Sequence, residues 1–187
     1  SITANRPDCQ SIFGIAREVA AVLEKPLKQP ALDYTETDVT RDYSVNVEAK
    51  DLCHRYISHY VYDVNIDKSP LWMRRRLTLV GCSAISNMVD ITNYVLKELG
   101  QPMHAFDEGF LEGDSINVRR AEKGEKIVTL DEKEFELNPE NLVICDGKKP
   151  VALAGIMGGL DSEIAEDTGS RVAIGISYFF ATSKRAA

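Results

Sequence analysis

The chain is poor in the residues that most often hold metals: three histidines and four cysteines among 187 residues. Cys9, Cys53, Cys82 and Cys145 are scattered, with no C-x-x-C pair, so no zinc or other metal site is expected. The even count permits disulfides. A chain of this size stabilises itself by burial, however, so reduced thiols in a cytoplasmic protein are the expectation. No run approaches the roughly 20 apolar residues that a membrane-spanning helix needs. The opening Ser1-Ile2-Thr3-Ala4-Asn5-Arg6 has neither an initiator Met nor an apolar leader core, which predicts a segment excised from a longer protein. There is no internal repeat, P-loop, dinucleotide fingerprint or nucleophile elbow. With 44% apolar and 27% charged residues, the composition is that of an ordinary globular domain, or of two small ones sharing a core. The net charge of −7 argues against gripping nucleic acid by bulk charge, though not against handling the end of an RNA at a local site.

Charge is distributed unevenly. Acidic stretches at 31–51 and 82–115 flank a basic one at 52–81, centred on Arg74-Arg75-Arg76 beside Trp72. Such a block is either an RNA contact or a solvated helix face with Trp72 packed inward.

The apolar spacing of Ile12, Ile15, Ala16, Val19 and Leu23 predicts a helix over about 9–24, capped by Asp8 and ended by Pro26. Alternation predicts strands at 43–48 and 55–64, after a Thr-, Asp- and Pro-rich connector reaching Asp42. Ser69-Pro70 opens a helix to about Val80, and Asp90 or Thr92 could cap another from Asn93 to Leu99, ended by Gly100. After residue 115 the chain changes character. Ile116–Arg120, Lys126–Leu130, Glu134–Leu137, Asn141–Cys145, Val151–Ile156 and Val172–Phe180 read as strands. The fold class is therefore α+β, with a mixed, largely antiparallel sheet and flanking helices. One compact unit over 1–187 is expected, divisible into intertwined parts at about 1–115 and 116–187.

Three segments could carry chemistry. Asn87–Tyr94 holds four compact hydrogen-bonding side chains, which also suit caps and turns. His104 follows Gly100 and Pro102 in a loop-like setting and is either a proton carrier or a structural histidine. Ala152–Gly159 is apolar and then glycine-rich. It could floor a pocket and offer backbone N–H groups to an oxygen, or simply turn the chain.

Asn5-Arg6-Pro7-Asp8-Cys9, Gly14–Ala20, Arg55-Tyr56, Ser69-Pro70-x-Trp72, Val89–Val95, Gly100–Asp107 and Leu153–Gly159 follow one another in an order that closely resembles the bacterial phenylalanyl-tRNA synthetase β subunit. The likeness covers nearly the whole chain and falls on the central domain of that subunit, which holds its editing site. It implies hydrolysis of the ester of misacylated Tyr-tRNA(Phe) by a positioned water. It also implies as partners the tRNA(Phe) 3′ end, the synthetase α subunit and the rest of the β subunit in a heterotetramer. No cofactor is implied here, ATP and Mg belonging to the full synthetase. By the same resemblance His104 matches the editing-site histidine, Thr92 and Asn93 match pocket residues near the tRNA 3′ end, and Gly158 and Gly159 match the glycine-rich wall. One position departs: Gly175 stands where the family has a glutamate associated with the tyrosine hydroxyl. The family's next pocket segment lies beyond Ala187. Weak or no activity is therefore expected of the segment alone, and the rival reading is a non-catalytic structural or tRNA-positioning module.

Overall fold

Ser11, extended at φ −128°, accepts the Gly14 N–H on its Oγ and so starts helix α1, Ile12–Val22, in the computed structural model. The structure describes residues 2–31, 33–35, 43–165, 168 and 172–179, with the backbone alone at 173 and 176–179. Most of the connector reaching Asp42, and Phe180, lie outside these residues. Asp8 is not the cap. It sits in a 3₁₀ turn, Pro7–Cys9, and pairs with Arg6 at 2.8 Å. The apolar stripe of α1 is largely exposed, with Ile12, Ile15, Val19 and Leu23 facing outward.

Helix α2, Leu71–Leu79, follows Pro70, which caps without a side-chain bond. Helix α3 runs Asn87–Leu99 from an extended Ser86, six residues earlier than the sequence suggests. Asp90 and Thr92 therefore lie inside it. The Asp90 carboxylate is fully buried and accepts Ser69 Oγ at 2.6 Å and the Ile85 N–H at 2.8 Å, tying α3 to the segment that enters α2. This is why Ser69 is not a helix cap. Thr92 Oγ1 donates to the Val89 carbonyl at 2.8 Å. Gly100, at φ +81°, closes α3 in the left-handed conformation that glycine adopts without strain.

Trp72 is not packed inward: 51% of it is exposed. Its ring meets Tyr94 edge-on at 5.5 Å, and the Arg76 guanidinium lies 5.3 Å from its centroid. Arg76 also donates to Tyr94 Oη at 2.6 Å.

Among the described residues, ten strands form three sheets. β1 (Ser44–Val47), β4 (Ser115–Arg120), β7 (Leu142–Cys145), β8 (Pro150–Leu153) and β9 (Met157–Gly158) lie side by side in that order, with only the β1–β4 pair parallel. β2 (Cys53–Val61), β10 (Val172–Phe179) and β3 (Met103–Asp107) make an antiparallel sheet with the last strand in the middle. β5 (Lys126–Val128) pairs with β6 (Glu134–Glu136). The architecture is α+β and mostly antiparallel. Early and late segments share both larger sheets, since β1 joins the later strands and β10 returns between the earlier ones.

β7 is buried throughout because both its faces are covered. Leu142 and Ile144 join Tyr56, Phe106, Ile116, Val118, Val151 and Ala152 in the main core, while Val143 and Cys145 join Ile127, Leu137 and Leu153 in a second. A third cluster packs Met88 of α3 on Ala105 and Val172. At the edge of the second core, Arg119 grips Glu125 through two nitrogens at 2.7 and 2.9 Å, which holds the Glu125 carboxyl below its ordinary range.

Candidate functional site

Strand alternation decides which side chains of Met103–Asp107 meet which neighbours. The segment reads as a loop because Gly and Pro precede it, yet it is strand β3, docked on β10 with His104 opposite Gly175 and Ala105 opposite Ile174. Ala105 faces the α3 cluster. His104 and Phe106 point the other way, their rings meeting edge-on at 4.5 Å. On that side lies a cavity of about 200 Å³ between the β2–β10–β3 sheet and the end of the five-stranded sheet. Tyr56, His104 and Gly175 line it from the first sheet. Ile144, Leu153 and the Gly155–Gly158 turn line it from the second.

That turn accounts for the shape of the wall. The strand expected over Val151–Ile156 divides into β8, a turn through Gly155 at φ +71°, and the short return β9. The return brings Gly158 against the imidazole. A Cβ on Gly158 would lie 2.6 Å from His104 Nε2 and closer still to Cε1, so glycine there lets the histidine enter the cavity. The N–H groups of Ile156 and Gly159 already donate to Leu153 and Val151 carbonyls, at 3.1 and 2.8 Å, and so are not available to a ligand.

His104 is electrostatically unusual. Burial without a compensating charge pulls its pKa down to about 4, so it is neutral at pH 7. Its Nε2 is buried and lacks a hydrogen-bond partner among the described residues. Such a group costs free energy unless something binds to it. A neutral imidazole nitrogen can exchange hydrogen bonds with a water or a ribose hydroxyl.

Of the residues singled out in the sequence, His104 and Gly158 meet at this cavity, together with Gly175. Gly159 does not line it. It lines a smaller neighbour, about 140 Å³, with Lys126, Lys149 and Ser162. Thr92 and Asn93 are on α3 and are not among the cavity's lining residues; α3 packs on β3 where Met88 meets Ala105. Tyr56 is the residue that reading for chemistry passed over. Its alternation with Ser58 and Tyr60 was visible, but the pairing of β2 with a strand more than a hundred residues later was not. Asp8 and Glu18, both exposed, and the buried Cys9 converge closely enough to hold a cation, but the Arg6 guanidinium already bonds both carboxylates, at 2.8 and 2.7 Å. No helix among the described residues is long and apolar enough to cross a membrane.

Residues 52–186 match the B3/4 domain family. The phenylalanine–tRNA ligase beta subunit of Syntrophus aciditrophicus is 52% identical over 98% of the chain, and that of Oceanobacillus iheyensis 48% over the same share. The chain spans 23% of the length of each of these relatives. Among solved structures, an N-terminal fragment of the phenylalanyl-tRNA synthetase beta subunit from Pyrococcus horikoshii superposes with a TM-score of 0.55 at 18% identity, covering 97% of this chain and 55% of that one. The shared fold therefore extends to sequences that have diverged widely. Resembling phenylalanine–tRNA ligase beta subunits along nearly its whole length, this chain belongs to the B3/4 domain family.

Proposed function

We propose that the chain is the editing domain of a phenylalanine–tRNA ligase and hydrolyses Tyr-tRNA(Phe) at the His104 cavity. The observation that carries this reading is the meeting of a neutral, unpartnered histidine with a cavity of one-ring size. An apolar cavity of about 150 Å³ is enough to take up benzene; about 200 Å³ therefore suits a single aromatic side chain and not a nucleotide. The amino acid enters, and the ester stays at the mouth beside His104. A water adds to the ester carbonyl carbon, the bond to the terminal ribose oxygen breaks, and that oxygen takes a proton, releasing tyrosine and tRNA. His104 orients the water or the ribose hydroxyl through Nε2. Thr92 and Asn93 of α3 contact the tRNA 3′ end, and Gly159 holds the glycine-rich wall by its bond to Val151. The domain works in the cytoplasm within a heterotetramer of α and β subunits and needs no cofactor of its own.

One observation favours a second reading, a tRNA-positioning module without hydrolysis: no carboxylate lines the cavity among the described residues. The discriminating experiment is deacylation of Tyr-tRNA(Phe) by the intact synthetase and its His104→Ala variant. Hydrolysis lost with the histidine supports editing here. Hydrolysis unchanged by the substitution removes His104 from the mechanism, and no hydrolysis by the parent supports the second reading.

A further inference from the structure

The cavity has a second polar group that the mechanism does not use. Tyr56 is only 8% exposed, and no hydrogen bond to its hydroxyl is formed among the described residues. Burial pushes its ionisation far above the ordinary phenol range, so it is a neutral hydroxyl able both to donate and to accept. Gly175 explains how the hydroxyl comes to be there. A Cβ built on Gly175 would collide with Tyr56 Oη and lie 2.9 Å from Cζ, with Phe106 Cε2 at 3.5 Å. The backbone of Gly175 is ordinary strand, paired with Ser58 on one side and His104 on the other. It requires no conformation peculiar to glycine. The absent side chain matters only for the space it leaves, and that space is filled by the Tyr56 hydroxyl. Residue 175 and Tyr56 thus compete for one position in the wall of the cavity.

The remaining lining side chains, among them Ile144, Leu153, Ile156 and Met157, are apolar. Besides His104 at β3, Tyr56 therefore supplies the polar side chain from which an occupant's own polar atom can be read. A hydroxyl left without a partner in an apolar wall is disfavoured when an apolar ring fills the cavity, and is satisfied when the ring carries a hydroxyl.

We propose that Tyr56 is a specificity-determining residue whose hydroxyl selects hydroxylated over plain aromatic side chains in this cavity, and that Gly175 is glycine to leave it room. This rests on the editing reading for its substrate, but not for its test. The probes are tyrosine methyl ester and phenylalanine methyl ester, titrated into the intact protein and followed by calorimetry. The parent should prefer the tyrosine ester. Tyr56→Phe keeps the ring and should cut that preference by roughly 10- to 100-fold, the effect of losing one buried hydrogen-bond partner. Gly175→Ala should do the same without touching Tyr56, because the added methyl displaces the hydroxyl. Thermal unfolding adds a readout that needs no ligand: Gly175→Ala should lower the melting temperature in the parent and lower it less in the Y56F background. An equal preference in the parent, a preference unchanged by Tyr56→Phe, or equal melting shifts in the two backgrounds each overturns the proposal. Deacylation separates the two ideas. If the parent prefers the tyrosine ester through Tyr56 but does not hydrolyse Tyr-tRNA(Phe), the selectivity stands and the editing reading fails. If it hydrolyses Tyr-tRNA(Phe) and Tyr56→Phe leaves the preference unchanged, the editing reading stands and this inference fails.

Discussion

Replacing His104 with alanine should flatten the acid side of the stability profile. In the folded protein the imidazole titrates at about 4, against 6.5 for the free side chain, because burial disfavours its charged form. Between those values the unfolded chain binds a proton that the folded chain does not. Stability therefore rises with pH through this window and is lost as pH falls from about 6.5 toward 4. From pH 7 to 4.5 the window spans about two units at about 1.4 kcal/mol each, an effect of about 2 kcal/mol once both titrations are partial at its edges. Carboxylates that titrate over the same range are common to both proteins, so the relevant quantity is the difference between their slopes. Urea unfolding followed by circular dichroism at half-unit pH steps measures it. The alanine variant loses the ring contact with Phe106 and shifts the whole curve, but its fall toward pH 4.5 should be about 2 kcal/mol shallower. Parallel curves, or an imidazole resonance titrating near 6.5 in the folded protein, would refute the assignment of a buried neutral histidine.

Two further substitutions probe the geometry. Gly158→Ala places a methyl on the imidazole and should destabilise by about 1–3 kcal/mol, the usual cost of overpacking. In the H104A background that cost should largely vanish, and additive unfolding energies would contradict the contact. Asp90→Ala strands the Ser69 hydroxyl and the Ile85 N–H and should cost roughly 1–3 kcal/mol in denaturant unfolding. An unchanged midpoint would show that the Asp90 carboxylate does not hold α3 to the segment before α2.

Local structure was largely readable from the chain. Alternation marks β1, β2 and the strands after residue 115, and Gly100 marks the end of α3. The start of α3 is misplaced because Asp90 and Thr92 look like caps in sequence. Only the fold shows Asp90 turned inward to Ser69, with Ser86 left to begin the helix. The apolar spacing of α1 suggests an inward face, yet Ile12, Val19 and Leu23 remain exposed. The site was legible in part for the same reason. His104 and the glycine-rich turn stand out locally, whereas the cavity exists because β10 inserts between β2 and β3, a pairing that no local pattern encodes. Tyr56 and Gly175 acquire their relation only through that register. Conversely, Thr92 and Asn93 are prominent in the sequence but lie on α3, which packs Met88 against the other face of β3.

The reaction proposed for the His104 cavity is the removal of tyrosine from tRNA(Phe). Its most direct test is the rate of release of labelled amino acid from Tyr-tRNA(Phe) and from Phe-tRNA(Phe) by the intact synthetase, beside its His104→Ala variant. Rapid release of tyrosine, slow release of phenylalanine and loss of the difference in the variant is the predicted result. Equal rates for both amino acids, or a tyrosine rate indifferent to His104, would contradict it.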